Sequence, residues 1–137
     1  MNIELSTTFI ATADHEAALG FYRDTLGLEV TKDVGYEGLR WITLVTASQP
    51  GIEVVLENAI ADPNASAEDK AAAADLLAKG YLRAVIFRTD DVDALFEKVR
   101  ASGAEVLQEP TDQFYGVRDC AFRDPSGNEV RFAQPKA

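Results

Sequence analysis

The sequence predicts an α+β fold of two paired βαβββ modules, and three observations predict it. The chain is written twice: Gly27-Leu28-Glu29-Val30 is answered by Gly103-Ala104-Glu105-Val106, and Gly51-Ile52-Glu53-Val54 by Gly127-Asn128-Glu129-Val130, both at an offset of 76 residues. Asp14 falls on Asp90 at the same offset. Each copy runs through one helical and four extended segments in the same order. Finally, 137 residues suit one compact domain, or two halves each marginal alone. A repeated unit of this length cannot bury its own apolar face, so the copies pack on each other or on a partner chain.

Residues 5–12, rich in Thr, Phe and Ile, read as the first strand. Asp14 is a good N-cap for a helix from His15 to Thr25, with Ala18, Leu19, Tyr22 and Leu26 spaced for one buried face. Gly27 ends it, as a residue tolerant of positive φ should. Strands follow at Leu28–Asp33, Leu39–Thr46 and Glu53–Glu57, completing the first module, residues 1–58. In the connector, 59–80, Asp62-Pro63-Asn64 is a turn, and Ser66-Ala67-Glu68-Asp69 opens an Ala-rich helix in the manner of a capping box. That helix reads either as a plain linker or as a flap over a cavity. The second module, residues 81–137, has a strand at Leu82–Arg88, a helix capped by Asp90 or Asp91 and stopped by Gly103, and strands at Glu105–Gln108, Val117–Arg123 and Glu129–Ala133. Together the modules make one domain.

A net charge of −10 argues against nucleic acid, whose phosphates demand clustered Lys and Arg. The first module carries nine acids against three bases, the second ten against eight. An acidic surface serves solubility, and it also attracts a cationic ligand; charge alone does not separate the two. No apolar run approaches the ~20 residues that span a bilayer, and Met1–Leu5 lacks the basic and apolar regions of a signal peptide. A single cysteine, Cys120, excludes an internal disulfide, so the chain reads as cytoplasmic and reduced.

Two motifs carry a family resemblance. Asp14-x6-Phe21-Tyr22-Arg23-Asp24-Thr25-Leu26-Gly27-Leu28 and Asp124-Pro125-Ser126-Gly127-Asn128, in order on a duplicated frame, resemble the signatures of the vicinal oxygen chelate superfamily. That group includes glyoxalase I, extradiol dioxygenases, fosfomycin-resistance transferases and bleomycin-resistance proteins. The resemblance implies half-barrel sheets enclosing a cavity and, in the family's enzymes, a divalent metal held by inward side chains of each module's first and last strands. A Lewis acid there grips two neighbouring substrate oxygens as charge develops.

At the positions where the resemblance places metal ligands, this chain has Thr7 and Val55 in the first module, and Arg131 with Ala84 (counted from Asp91) or Arg83 (from Asp90) in the second. None is a usual ligand, and a fixed cation at Arg131 opposes a metal. The one histidine, His15, belongs on an exposed first helical turn. The expectation is therefore no metal and no cofactor.

Alternation along strands puts Thr7 on one face with Phe9 and Ala11, Val55 with Glu53 and Glu57, and Arg131 with Glu129 and Ala133. The predicted ligand-binding set is Thr7, Phe9, Trp41, Glu53, Val55, Tyr115, Arg118, Glu129 and Arg131. Glu53 and Glu129 either orient a ligand or neutralise Arg131, and either one would also serve as a general base. Gln113-Phe114-Tyr115-Gly116-Val117-Arg118 resembles the aromatic-glycine segment that bounds the ligand crevice in bleomycin-resistance-like members, whose rings would stack on a planar heterocycle. Cys120, mid-strand with no histidine to activate it, is expected to be a buried inert thiol.

The leading expectation is a homodimer that binds a small organic molecule, cationic or aromatic, without metal, as bleomycin-resistance proteins sequester a drug. The rival is a glyoxalase-like isomerase, epimerase or lyase, or a metal-dependent dioxygenase, with an unusual site.

Overall fold

The order of elements follows the repeat. In the computed structural model, which describes residues 1–136, the first module comprises β1 (Thr7–Thr12), α1 (His15–Leu19) continued by a π-helical stretch (Gly20–Thr25), β2 (Glu29–Tyr36), β3 (Leu39–Thr46) and β4 (Gln49–Asn58). The connector carries α2 (Ala67–Ala78). The second module comprises β5 (Arg83–Arg88), α3 (Val92–Ala101), β6 (Glu105–Asp112), β7 (Val117–Arg123) and β8 (Glu129–Pro135). The sheets have the same topology, β1-β4-β3-β2 and β5-β8-β7-β6, with the first strand parallel to the last and the other pairs antiparallel. The first strand joins the last in parallel because the helix between them is the crossover such a pairing needs.

Each sheet is two-faced. Ile10, Ile42, Leu44 and Leu56 of the first sheet and Phe122, Val130 and Phe132 of the second turn toward the helices and share one core with Tyr22, Phe96 and Val99. The opposite faces stay open. The expected half-barrels do not close around a cavity within one chain: Phe9 is 54% exposed and Ile86 67%.

The copies differ by one residue in two places that cancel. Asp14 caps α1 and Asp91, not Asp90, caps α3, each accepting from the backbone N–H three residues on. The caps are thus 77 residues apart while the terminating glycines stay 76 apart. On the strand side the extra residue is taken up in β5, where the register with β8 shifts between Arg83 and Val85. The first helix is longer by that residue, and it widens into the π-helical stretch Gly20–Thr25, as a one-residue insertion in a helix does. The bulge leaves Arg83 opposite Glu129 as Thr7 is opposite Glu53, so of the two second-module registers the strand follows the one through Arg83.

Helix α2 is capped by Ser66, which accepts from Asp69 N–H. It is anchored at its far end by buried Leu77, seated against the Asp124–Asn128 turn. Gly127 there has φ +115°, and a Cβ would collide with the Leu77 carbonyl oxygen, so glycine is required on both counts. That end of α2 lies with α1 and the end of α3. No helix among the described residues is long and apolar enough to cross a membrane.

Candidate functional site

The open sheet faces form a trough whose rows follow from strand register. In the first module Phe9, Val55, Thr43 and Lys32 lie across β1, β4, β3 and β2, and the next row holds Ala11, Glu57, Trp41 and Val34. Thr7 stands opposite Glu53 and donates to it at 3.4 Å. Lys32 Nζ is 3.9 Å from the other Glu53 oxygen, and Trp41 Nε1 donates to Glu57 at 3.1 Å. In the second module the rows are Ile86, Arg131, Ala121 and Gln108, then Arg88, Ala133, Asp119 and Thr111.

A buried carboxylate organises this second wall. The Asp119 side chain is 2% exposed. It accepts from Gln108 Nε2 at 2.8 Å, Gln113 Nε2 at 3.0 Å, Arg131 Nη1 at 3.0 Å and, at 3.4 Å, the Tyr115 hydroxyl. Burial pushes its pKa up, but the donors from Gln113, Gln108 and Arg131 and the guanidinium's charge prevail and hold it below the usual carboxylate value. Arg131 Nη1 also donates to Gln108 Oε1 at 3.0 Å, and Arg131 Nη2 lies 3.5 Å from Glu129. Glu129 accepts in turn from Arg83 at 2.8 Å. The result is a ladder of alternating charge, Asp119–Arg131–Glu129–Arg83, running across β7, β8 and β5.

The predicted residues can now be placed. Thr7, Phe9, Trp41, Glu53 and Val55 share the first wall, and Glu129, Arg131 and Tyr115 the second. Arg131 lies 3.5 Å from Glu129, and its closer carboxylate partner is Asp119 at 3.0 Å. Arg118 is set apart from them. Because Asp119 faces the trough, its neighbour on β7 faces the helices, and Arg118 reaches Asp93 in the first turn of α3 at 2.8 Å and Asp112 at 3.3 Å. Asp119, Gln108, Gln113, Arg83, Ile86 and Arg88 belong to the trough and were not among the predicted set. Two apart from Ala121 and next to Cys120 on a core-facing alternation, Asp119 was readable from period two alone.

The residues at the family's metal positions do not fit a metal. Thr7, Val55 and Arg83 supply at best one hydroxyl, and Arg131 fills its position with a guanidinium already bonded to Asp119. Among the described residues, no three His, Cys, Asp or Glu side chains converge as a metal site would require. Cys120 is fully buried on the helix side, and burial with Asp119 beside it pushes its thiol up to about 11.

The signature motifs lie elsewhere. Asp124 Oδ1 accepts from the backbone N–H groups of Ser126, Gly127 and Asn128. Its Oδ2 accepts from Asn128 Nδ2 at 3.0 Å and from the Tyr22 hydroxyl at 2.7 Å. Asn128 also donates to Ala11 O, while the Ser126 hydroxyl meets Thr12 and accepts from Ala13 N–H. The motifs thus clip the second module onto α1 and β1 of the first. A cleft of about 660 Å³ between α1, the end of α3 and this turn lies on the helix side, away from the trough.

Comparison with known proteins agrees with this frame. The family model for the Glyoxalase/Bleomycin resistance protein/Dioxygenase superfamily matches residues 4–132. The protein YurT of Bacillus subtilis (strain 168), itself uncharacterised, is 30% identical over 133 residues, covering 96% of this chain and 99% of its own. The crystal structure of UcmS2 is similar at 32% identity with a TM-score of 0.86, over 97% of this chain and 98% of that one. TnmS3, an antibiotic binding protein from Streptomyces sp. CB03234, is similar at 26% identity and a TM-score of 0.74, over 98% of each chain. The chain belongs to the Glyoxalase/Bleomycin resistance protein/Dioxygenase superfamily.

Proposed function

We propose that this member of the superfamily is a cytoplasmic binding protein, which holds a small organic molecule in the trough without a metal and leaves it chemically unchanged. The observation that carries the reading is Arg131: its guanidinium occupies a metal-ligand position and is locked to the buried Asp119. The likeness to an antibiotic binding protein supports the same class of ligand. The trough walls suit it, since exposed Phe9 and Ile86 offer apolar contact and half-exposed Tyr115 lies at its rim beside Phe114, the two rings edge to face at 5.1 Å. A planar ligand stacked there gains about 0.5–1.5 kcal/mol beyond the area it buries. Each trough carboxylate already has a donor or cation partner, which favours binding over proton transfer.

A site this open gains by being covered, and a second copy of the chain is the proposed cover. Phe9, Val34 and Ile86 are each more than half exposed in one chain, an apolar lining that a homodimer would bury. The test is a thermal-shift panel of bleomycin and polycyclic aromatic antibiotics, run with elemental analysis of the desalted protein and its mass in solution. The expected result is a raised Tm with at least one compound, a dimer mass, and metal below about a tenth of an equivalent. Saturation at ~100 Kd corresponds to about 2.7 kcal/mol of added stability. Stoichiometric metal surviving desalting, with no compound raising the Tm, would overturn the reading.

A further inference from the structure

The acids that give the first module its surplus are mostly not in the trough. Asp14 caps α1, Asp24 pairs with Arg23, and Asp33 pairs with Arg40 on the helix side. The four central trough strands, β4, β1, β5 and β8, carry Glu53, Glu57 and Glu129 against Arg83, Arg88 and Arg131 on this face, an even balance in a chain of net charge −10.

Hydrogen-bonding capacity is less even. Glu53 is engaged by Thr7 and Lys32, Glu57 by Trp41, Glu129 by Arg83 and Arg131, and Asp119 by four side chains. A cation entering the trough meets only carboxylates that already have partners. The donors are not so spent. A guanidinium carries five N–H groups. Arg83, whose side chain is 80% exposed, uses one, to Glu129. Arg88 is exposed and has no ion pair among the described residues. It stands two residues from Ile86 on the same face of β5, beside the strand that presents Phe9.

We propose that the trough takes a ligand with an aromatic body and a carboxylate group, the body lying on Ile86 and Phe9 and the carboxylate held by Arg88. The planar guanidinium fork matches a carboxylate in a way an ammonium does not. This rests on the trough being the binding site, and it replaces attraction of a cation with recognition of an anion.

The test compares three probes sharing one ring, 2-naphthoate, 2-naphthalenemethanol and 2-naphthylmethylammonium, titrated calorimetrically into the full chain and into Arg88→Gln and Arg88→Lys. The expected result is naphthoate binding about tenfold tighter than the alcohol, with the ammonium weakest. Arg88→Gln should then weaken naphthoate by about fivefold or more while leaving the alcohol unchanged, and Arg88→Lys should recover part of the loss. Equal binding of all three probes, or naphthoate binding indifferent to Arg88→Gln, would overturn the anion assignment while leaving the trough as a site. Failure of all three to bind would remove the trough itself, and this assignment with it.

Discussion

Two buried carboxylates on one stretch of chain, Asp119 and Asp124, do different work. Asp124 accepts five hydrogen bonds, from the turn it sits in, from Asn128 and from Tyr22 across the module boundary, and has no ion pair among the described residues. Asp119 draws its donors from side chains of β6, β8 and the loop before β7, one of them a guanidinium. The first cluster faces the helices and joins the modules; the second floors the open trough. Burial and saturation are alike in both. Position relative to the open face separates structural joint from candidate site, so the residues that identify the family mark the fold more than the ligand.

Removing the joint should have the largest effect. Asp124→Ala removes the acceptor of the Ser126 and Asn128 N–H groups and the Tyr22 hydroxyl, and one of two acceptors of Gly127 N–H and the Asn128 amide; each orphaned donor costs ~1–3 kcal/mol. The expected loss is above about 4 kcal/mol, read by denaturant unfolding or as a failure to accumulate folded protein. A loss below about 1 kcal/mol would mean the modules hold together without the clip.

Arg131→Ala comes next and touches the other cluster. It leaves Asp119 buried with three neutral donors, an expected cost of about 2–4 kcal/mol, set below the fully buried case because Arg131 is 22% exposed. The pH dependence carries the sign. Asp119 has a depressed folded pKa, so its contribution is fully present above its unfolded value near 3.8 and is lost as pH falls through the lower folded value. Without Arg131 that acid limb should move to higher pH. Urea midpoints from pH 2.5 to 6 would show it, and an unmoved limb would remove the pair from the stability account. Ligand binding should weaken in the same variant.

Tyr22→Phe should be milder, about 1–2 kcal/mol, because Asp124 keeps its four other donors. Burial, then the Asp124 charge and hydrogen bond, raise the Tyr22 pKa well above 10. Folding therefore favours the neutral phenol, a contribution complete below about pH 10 and lost as pH rises through the folded value. The wild-type protein should lose stability in strong alkali more steeply than the Phe variant. Parallel curves would place the alkaline transition on other groups.

What was legible in the sequence follows from what period two and the repeat encode. The paired βαβββ modules were readable because the glycine-led blocks recur and the strands alternate. The same alternation, counted from Arg131, set Glu129 and Ala133 on the trough, and counted from Val55 it set Glu53 and Glu57 there. The β5 bulge was not readable, because a one-residue register shift depends on the partner strand, and it decided that Arg83 faces Glu129. Gln108 sits between two register shifts in β6, and its approach to Asp119 was hidden for the same reason.

Arg118 is the predicted ligand residue that alternation along β7 sets off the trough, and it yields the smallest expected effect. As the cation of an aromatic loop it belonged with Tyr115; as the second residue of β7 it points away from Asp119, to Asp93 and Asp112. Two exposed partners in water contribute little. Arg118→Ala should leave the melting curve within replicate scatter and the binding of any trough ligand unchanged, while Arg131→Ala alters both. If Arg118→Ala instead weakened binding as much as Arg131→Ala, the ligand would be held on the helix-facing side of β7, and the division between joint and trough drawn from Asp124 and Asp119 would have to be redrawn.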